Sequence, residues 1–184
     1  MKLVKSTFLS SILLLAIMVF SIPNNVMATG KENVKTGFDI GNRIPDIMAK
    51  SLNGKEIALS SLKGKLVLVD FWASWCPPCR AENPHIVHAY KKYKDKEFKN
   101  GNGFTVYSFS LDSKSDRWKK AIEKDQLSWE YHVSELKGWQ SPTAERFGIN
   151  SIPSSFLIDG DGIILAKNLR GDKLERVLQY YQKK

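Results

Sequence analysis

The most informative part of the sequence is LVLVDFWASWCPPCR, residues 66–80. It begins with an apolar run interrupted only by Asp70, and such a run is typical of a strand covered on both faces of a sheet. It continues to Cys76 and Cys79, which stand at the start of a predicted helix that runs to about Tyr93. The cysteine pair is therefore expected between a buried strand and the first turn of a helix.

This position favours redox chemistry at the two cysteines. The first turn of a helix has unpaired backbone N–H groups and the positive end of the macrodipole, and both stabilise a thiolate. Cys76 is therefore predicted to be the exposed attacking sulfur, and Cys79 to resolve the mixed disulfide. Pro77 and Pro78 stiffen the turn without the loss of a helix hydrogen bond. The chain has only 2 cysteines, and so small a loop stabilises a fold little, so the pair is predicted to be chemical rather than structural.

Strands and helices are predicted to alternate along the rest of the chain. A hairpin that turns at Asn53-Gly54 precedes the buried strand, and a second hairpin turns at residues 159–162. The predicted order is a hairpin followed by β-α-β-α-β-α-β-β-α. Residues 95–103 are predicted to form a polar loop. The pattern indicates an α/β fold with a mixed central sheet flanked by helices.

The N-terminus resembles an export signal. Two lysines precede an apolar run at residues 8–22, and Val26-Met27-Ala28 offers a cleavage site. We therefore predict a signal peptide over residues 1–28, a mobile linker over 29–41 and a domain over 42–184. The predicted location is periplasmic or otherwise extracytoplasmic. An uncleaved membrane anchor formed by residues 8–22 is the alternative, although a spanning helix needs about 20 residues.

The net charge of +9 raises the question of a nucleic-acid partner. The lysines are scattered along the chain, as expected for solvated helix faces. Because the chain is also predicted to be exported, we expect no nucleic-acid partner.

Several segments resemble the thioredoxin superfamily, in its exported TlpA/ResA-like, AhpC/TSA-related branch. The similar segments are residues 69–79 with Pro84, residues 41–46, residues 53–55 and residues 152–159. The resemblance covers about residues 42–184. It implies a thioredoxin-like fold with an N-terminal β-hairpin extension.

The resemblance also implies roles for the matching residues near the cysteines. Cys76 and Cys79 match the redox pair, which forms a reversible disulfide. Pro153 matches a cis-proline beside that disulfide, and it would leave the Ile152 backbone free to pair with a substrate strand. Trp75 borders the attacking sulfur. The predicted substrate-binding residues are Trp75, Pro77, Pro78, Ile152 and Pro153.

Two carboxylates match acids of related proteins. Asp70 matches the buried acid that handles the proton of the second cysteine in thioredoxins. Glu82 matches an acid of the ResA-like branch, and its other interpretation is a helix-surface carboxylate. With both present, the proton acceptor for Cys79 stays ambiguous, although we favour Asp70 because burial raises a carboxyl pKa toward the working range. The predicted catalytic residues are Cys76, Cys79, Asp70 and Glu82.

The predicted function is dithiol–disulfide exchange with protein disulfides outside the cytoplasm. The resemblance favours a reductase that serves cytochrome c maturation or stress repair, although the sequence does not fix the direction. It implies no metal, flavin or nucleotide. It is consistent with an inner-membrane electron donor, and we predict a monomer.

A zinc-binding module is one alternative. Cys76, Cys79, His85 and His88 are four candidate zinc ligands in a short span. Zinc fingers usually separate the cysteine pair from the histidine pair by a longer loop. The helix and Pro84 would splay these side chains apart.

A thiol peroxidase of the peroxiredoxin type is another alternative. Such enzymes need Thr or Ser three residues before the reactive cysteine and a proline further upstream, and here Ala73 and Val69 occupy those positions. A non-catalytic binding module is also conceivable, because a fold alone gives no activity. The intact cysteine pair argues against that module.

Overall fold

The structure, a computed structural model, describes residues 34–184 and arranges them around a seven-stranded sheet. The strands are β1 (Met48–Ser51), β2 (Glu56–Ala58), β3 (Leu66–Trp72), β4 (Glu97–Phe98), β5 (Gly101–Asn102), β6 (Phe104–Ser110), β7 (Tyr131–Ser134), β8 (Ser154–Ile158) and β9 (Ile164–Lys167). The helices are α1 (Pro77–Tyr93), α2 (Ser115–Lys124), α3 (Pro142–Arg146) and α4 (Asp172–Tyr181), with short 3-10 turns at Leu59–Leu62 and Gly138–Gln140.

The large sheet is mixed, as predicted. Its strand order is β2-β1-β7-β6-β3-β8-β9. Strand β3 pairs in parallel with β6 and antiparallel with β8, and all seven of its residues are buried. This burial on both faces explains why the run of residues 66–72 is almost entirely apolar. The position of β3 inside the sheet also fixes where the chain emerges toward the cysteines.

The predicted N-terminal hairpin is confirmed. Strands β1 and β2 pair antiparallel around Asn53-Gly54, where Gly54 has φ +80°, a value that glycine adopts without strain. Strand β1 also pairs with β7, so the hairpin extends the edge of the sheet. The two-strand unit is therefore an addition to the central sheet and not a separate layer.

Residues 34–41 differ from the mobile linker that was predicted over residues 29–41. The Phe38 ring lies 5.1 Å from that of Phe147, measured between centroids, and the Gly41 N–H donates to the Ile164 carbonyl at 2.9 Å. The physical reason is the aromatic side chain, which loses contact with water by joining the core. The predicted signal peptide, residues 1–28, and the alternative anchor over residues 8–22 lie outside the described residues.

Residues 95–103 are not the simple polar loop that was predicted. Strands β4 and β5 form a small antiparallel pair there, and Phe98 is completely buried with its ring 6.4 Å from that of Tyr93. A single apolar residue in a polar segment carries no periodic signal, although its burial orders the segment. Within residues 34–184, no helix is both long and apolar enough to span a membrane.

Candidate active site

The two cysteines lie where strand β3 leads into helix α1. Cys76 is the N-cap residue of the helix, and its Sγ accepts a hydrogen bond from the Cys79 backbone N–H at 3.2 Å. Cys76 and Cys79 are joined as a disulfide with a Cα–Cα distance of 5.3 Å. The helix terminus therefore directs an N–H donor at the first sulfur, and this arrangement stabilises a thiolate once the bond is reduced.

Cys76 is less exposed than the sequence suggested. Only 3% of Cys76 is exposed, against 1% of Cys79, so the prediction of an exposed Cys76 is wrong for the disulfide form. Its neighbours cover it: Pro77 and Pro78 are exposed, and Trp75 is 45% exposed. A partner sulfur must therefore approach Cys76 past a rim of ring side chains.

Ile152 and Pro153 lie beside the disulfide, although they are far from it in the sequence. The Ile152–Pro153 bond is cis, the form that the resemblance implied. The Cys76 Sγ lies 3.7 Å from the Ile152 carbonyl oxygen, and both Ile152 and Pro153 are half-buried. The loop before β8 therefore forms one wall of the site.

Trp139 is a rim residue that was not among the predicted site residues. Its ring centroid is 6.1 Å from that of Trp75, and Trp139 is 50% exposed. It belongs to the 3-10 turn Gly138–Gln140. The two tryptophans therefore form an aromatic surface that begins next to Cys76.

Asp70 is a buried carboxyl group in the middle of strand β3, with only 3% of the residue exposed. Burial raises the pKa of Asp70 from its ordinary 3.8 to about 7; the Arg170 guanidinium opposes this shift and the Glu82 carboxylate adds to it. The group therefore exchanges a proton near neutral pH. That property suits an acid–base role in thiol chemistry.

Glu82 is half-buried on the second turn of α1, so it is more than a surface carboxylate. Its Oε1 accepts a hydrogen bond from the Gly171 backbone N–H at 2.8 Å, at the N-cap of α4. The helix terminus favours the negative charge there. Glu82 therefore acts on Asp70 through its charge while it connects α1 to α4.

Arg170 is the site residue that the sequence analysis missed entirely. Its guanidinium donates hydrogen bonds to the Pro153 carbonyl and, at 3.4 Å, to the Ser155 hydroxyl. The residue is half-buried, and its charge acts on Asp70. An arginine next to a glycine in a loop carries no spacing signal that could have identified it.

Residues 40–167 match the family model described as the AhpC/TSA family. The chain belongs to the AhpC/TSA family. The matched range includes strands β1 to β9, the cysteine pair and the cis-proline. The predicted family resemblance is therefore confirmed.

Curated relatives of this AhpC/TSA family member are thiol–disulfide oxidoreductases. Thiol-disulfide oxidoreductase ResA from Bacillus anthracis is 32% identical over 150 residues, which are 82% of this chain and 80% of the relative. The ResA protein of Bacillus subtilis (strain 168) is 27% identical over 170 residues, which are 92% of this chain and 86% of the relative. These similarities extend over most of both chains.

Solved structures agree with the sequence relatives. The thioredoxin domain of a thiol-disulfide oxidoreductase from Bacteroides vulgatus has a TM-score of 0.70 and 38% identity, covering 78% of this chain and 98% of that one. A thiol:disulfide interchange protein from a Bacteroides species has a TM-score of 0.67 and 37% identity, covering 80% and 90%. The predicted thioredoxin-like fold is confirmed, and this AhpC/TSA family member is a thiol–disulfide oxidoreductase.

A bidentate ion pair holds helix α1 of this family member against the end of α2. Arg80 donates to both carboxylate oxygens of Asp125, and its Nη1 donates to the Ser74 carbonyl at 3.1 Å. Asn83 donates to the same carboxylate at 2.6 Å. The loop before Cys76 and the helix after Cys79 are therefore bound to one fixed group.

The zinc alternative finds no support in this arrangement. Cys79 is buried in a disulfide, whereas His85 and His88 are exposed on α1, and His88 Nε2 lies 3.6 Å from Glu175. Among residues 34–184, no cluster of three or more His, Cys, Asp or Glu side chains is placed to hold a metal ion.

Proposed function

We propose that the protein reduces disulfides of other proteins outside the cytoplasm through Cys76 and Cys79. The observation that carries this proposal is the contact of one sulfur with two groups. Cys76 Sγ accepts from the Cys79 N–H and lies beside the Ile152 carbonyl, on the wall where a substrate strand would dock. The first contact stabilises the thiolate form of Cys76. The second places the Cys76 sulfur against the wall where the substrate would dock.

The first half of the reaction forms a mixed disulfide. In the dithiol form, the Cys76 thiolate attacks one sulfur of the substrate disulfide. A bond forms between Cys76 and that sulfur, and the substrate S–S bond breaks. The other substrate sulfur leaves as a thiolate and takes up a proton.

The second half releases the substrate. Asp70 in its ionised form accepts the Cys79 thiol proton, directly or through a water molecule, and the Cys79 thiolate attacks Cys76 Sγ. The mixed disulfide breaks, the second substrate sulfur leaves as a thiolate, and the Cys76–Cys79 bond forms. Two electrons have passed to the substrate, so a reductant must restore the dithiol. A membrane-bound dithiol donor fits this need.

Asp70 is preferred over Glu82 as the proton acceptor. The pKa of Asp70 near 7 allows it to accept and release a proton at neutral pH, whereas Glu82 is already engaged by the Gly171 N–H. Asp70→Asn should slow resolution of the mixed disulfide by about a hundredfold, the lower end of the range for loss of a general base. Glu82→Gln should have a smaller effect.

The exposed rim is the proposed docking surface for a protein substrate. Trp75, Pro77 and Pro78 surround the sulfur, and Ile152 with Pro153 closes the other side. This surface suits an extended polypeptide that carries a disulfide. Apocytochromes awaiting haem attachment and oxidatively damaged exported proteins are the two proposed substrate classes, and the enzyme is proposed to act as a monomer.

The proposed location rests on the predicted signal peptide of residues 1–28. Expression of the full chain in a bacterial host, followed by fractionation and N-terminal sequencing, tests it. We expect a mature protein that begins after Ala28 and lies outside the cytoplasm. A full-length membrane protein would favour the anchor over residues 8–22, and a cytoplasmic protein would contradict export.

Trapping variants test the reaction itself. Cys79→Ser should accumulate a mixed disulfide with a disulfide-bonded peptide, whereas Cys76→Ser should form none. The wild-type protein should be oxidised reversibly in dithiothreitol redox buffers. An equal yield of adducts from both variants would contradict the assigned order of attack. Consumption of hydrogen peroxide without peptide reduction would indicate the peroxidase instead.

A further inference from the structure

Arg170 links the cis-proline wall of the site to the turn before helix α4. It lies in the loop between β9 and α4, and its Nη2 donates to the Pro153 carbonyl. The same guanidinium donates to its own loop at the Leu169 carbonyl, at 2.8 Å. Both terminal nitrogens of the guanidinium, Nη1 and Nη2, therefore have a carbonyl acceptor, and this fixes the position of the side chain relative to Pro153.

The guanidinium also lies on the side of the sheet next to Asp70. Its Nη1 is 3.4 Å from the Ser155 hydroxyl, and Ser155 is the register partner of Asp70 in the β3–β8 pair. Register partners place their side chains next to each other on one face of a sheet. Ser108 is the register partner of Asp70 on the other neighbouring strand, β6. The two strands that flank Asp70 therefore present uncharged serines to it.

The charged groups that act on Asp70 come from two other elements. Helix α1 contributes the Glu82 carboxylate, and the loop before α4 contributes Arg170. The two charges oppose each other: Glu82 favours the protonated form of Asp70, whereas Arg170 favours the ionised form. Gly171, the next residue after Arg170, also holds Glu82 by its N–H. The adjacent residues Arg170 and Gly171 therefore determine where the positive charge of Arg170 and the negative charge of Glu82 lie.

We propose that Arg170 is a positioning residue for release of the substrate. Its guanidinium binds the Pro153 carbonyl and keeps Asp70 partly ionised. The part that concerns substrate release rests on the proposed function. The effect on Asp70 belongs to the folded protein and does not depend on any substrate.

The expected direction follows from the sign of the charge. Without the guanidinium, burial and Glu82 act on Asp70 unopposed, so the pKa of Asp70 rises above about 7. Less of the group is then ionised at pH 7, and fewer Asp70 carboxylates are ready to accept the Cys79 proton. Removal of a neighbouring opposite charge should move the titration midpoint upward by about one pH unit. The rate of resolution at pH 7 should fall about fivefold.

Three variants separate the charge of Arg170 from its hydrogen bonds. Arg170→Lys keeps the charge and loses the planar fork, Arg170→Gln loses the charge and keeps a donor, and Arg170→Met loses both. Arg176→Gln, at an exposed position on α4, is the matched control for the loss of one positive charge.

The first measurement is the titration of the Asp70 carboxyl in the disulfide form, followed by carbon-detected NMR. We expect an upward shift of the midpoint in Arg170→Gln and Arg170→Met, and a midpoint close to that of the wild type in Arg170→Lys and Arg176→Gln. An unchanged midpoint in Arg170→Gln, in a variant that still unfolds cooperatively, would overturn the proposal.

The second measurement is the pH profile of mixed-disulfide resolution by stopped flow. Its midpoint should move upward with the NMR midpoint in the same variants. A shifted NMR midpoint with an unshifted profile would overturn the role of Arg170 in substrate release. A wild-type protein that exchanges no disulfide would instead overturn the proposed function, while a shift in the NMR titration would still support the effect of Arg170 on Asp70.

Discussion

The Ser74 backbone N–H donates a hydrogen bond to the Asp112 carboxylate at 2.8 Å, and this bond joins the loops that follow two neighbouring parallel strands, β3 and β6. The Ser74 hydroxyl donates to the same carboxylate at 2.5 Å, and the Ser110 hydroxyl at 2.8 Å. Asp112 is 1% exposed. The segment that leads to Cys76 is therefore anchored by a buried acceptor at the C-terminal ends of two interior strands.

Asp112→Ala should destabilise the protein by about 2 kcal/mol, because it leaves the half-buried donors of Ser74 and the buried hydroxyl of Ser110 without a partner. Urea unfolding measures the loss, and hydrogen exchange at the Ser74 amide should become faster. Asp116→Ala, at an exposed position in the first turn of α2, is the control and should cost less. Equal unfolding midpoints for the two variants would contradict this account.

Asp70 should make the folded protein less stable as the pH rises. Its pKa in the folded disulfide form is about 7, above the ordinary 3.8, so between these values the folded state holds a proton that the unfolded chain has lost. The free energy of unfolding therefore falls as the pH rises across this window. Asp70→Asn removes the effect and should be more stable than the wild type by about 4 kcal/mol at pH 8.

Urea unfolding at pH 4 and pH 8 checks the Asp70 prediction. The difference between Asp70→Asn and the wild type should be small at pH 4 and large at pH 8. Asp116→Asn should follow the wild type at both values. A constant difference across the range would show that the substitution acts through packing and not through the proton.

Local patterns in the sequence were sufficient for the scaffold of the site. The apolar run of β3 and the Cys-Pro-Pro-Cys start of α1 are contiguous, so their strand and helix could be predicted. The cis form of Pro153 followed only from the resemblance, because a proline by itself is compatible with either isomer.

The supporting network could not be predicted in the same way. Ser74 and Asp112 are separated by 38 positions, and Arg80 and Asp125 by 45. Such partners meet only when the strands and the flanking helices are packed together, and no periodicity in the chain encodes that contact. Arg170, which lies 17 positions from Pro153, was missed for the same reason.

Arg80→Met should destabilise the protein by about 2 kcal/mol, because it leaves the Asp125 carboxylate, whose side chain is 13% exposed, without its cation. Burial alone would raise the pKa of Asp125, but the hydrogen bonds from Arg80 and Asn83 outweigh it and the pKa is lowered. The stabilisation is therefore present above the ordinary carboxyl pKa and is lost as the pH falls through the lowered value.

Unfolding measurements at pH 7 and at pH 2 check the Arg80 prediction. The deficit of Arg80→Met should shrink as the pH falls from 7 through the lowered pKa of Asp125, because protonation of the carboxyl group ends the ion pair. Arg117→Met, at an exposed position on α2, should show no such dependence. A deficit that is equal at both pH values would mean that the lost packing of the side chain, and not its charge, is responsible.

Trp139→Ala should weaken the binding of a protein substrate without changing the chemistry of the cysteines. Trp139 packs at 6.1 Å from Trp75 and extends the exposed rim beyond Cys76. Loss of an aromatic contact of this kind should raise the KM for a disulfide-bonded polypeptide about fivefold. Reduction of a small disulfide such as glutathione disulfide should change much less, because a small substrate depends less on contacts with the rim beyond Trp75.

Steady-state kinetics with the two kinds of substrate separate these effects. Tyr180→Ala removes an exposed aromatic ring, 68% exposed, on α4 and serves as the control. The reduction potential of Trp139→Ala should equal that of the wild type, since the variant leaves the Cys79 N–H contact with Cys76 in place. If both substrates lost activity to the same extent, Trp139 would be acting on the cysteine pair through Trp75, and a docking role for it would be wrong.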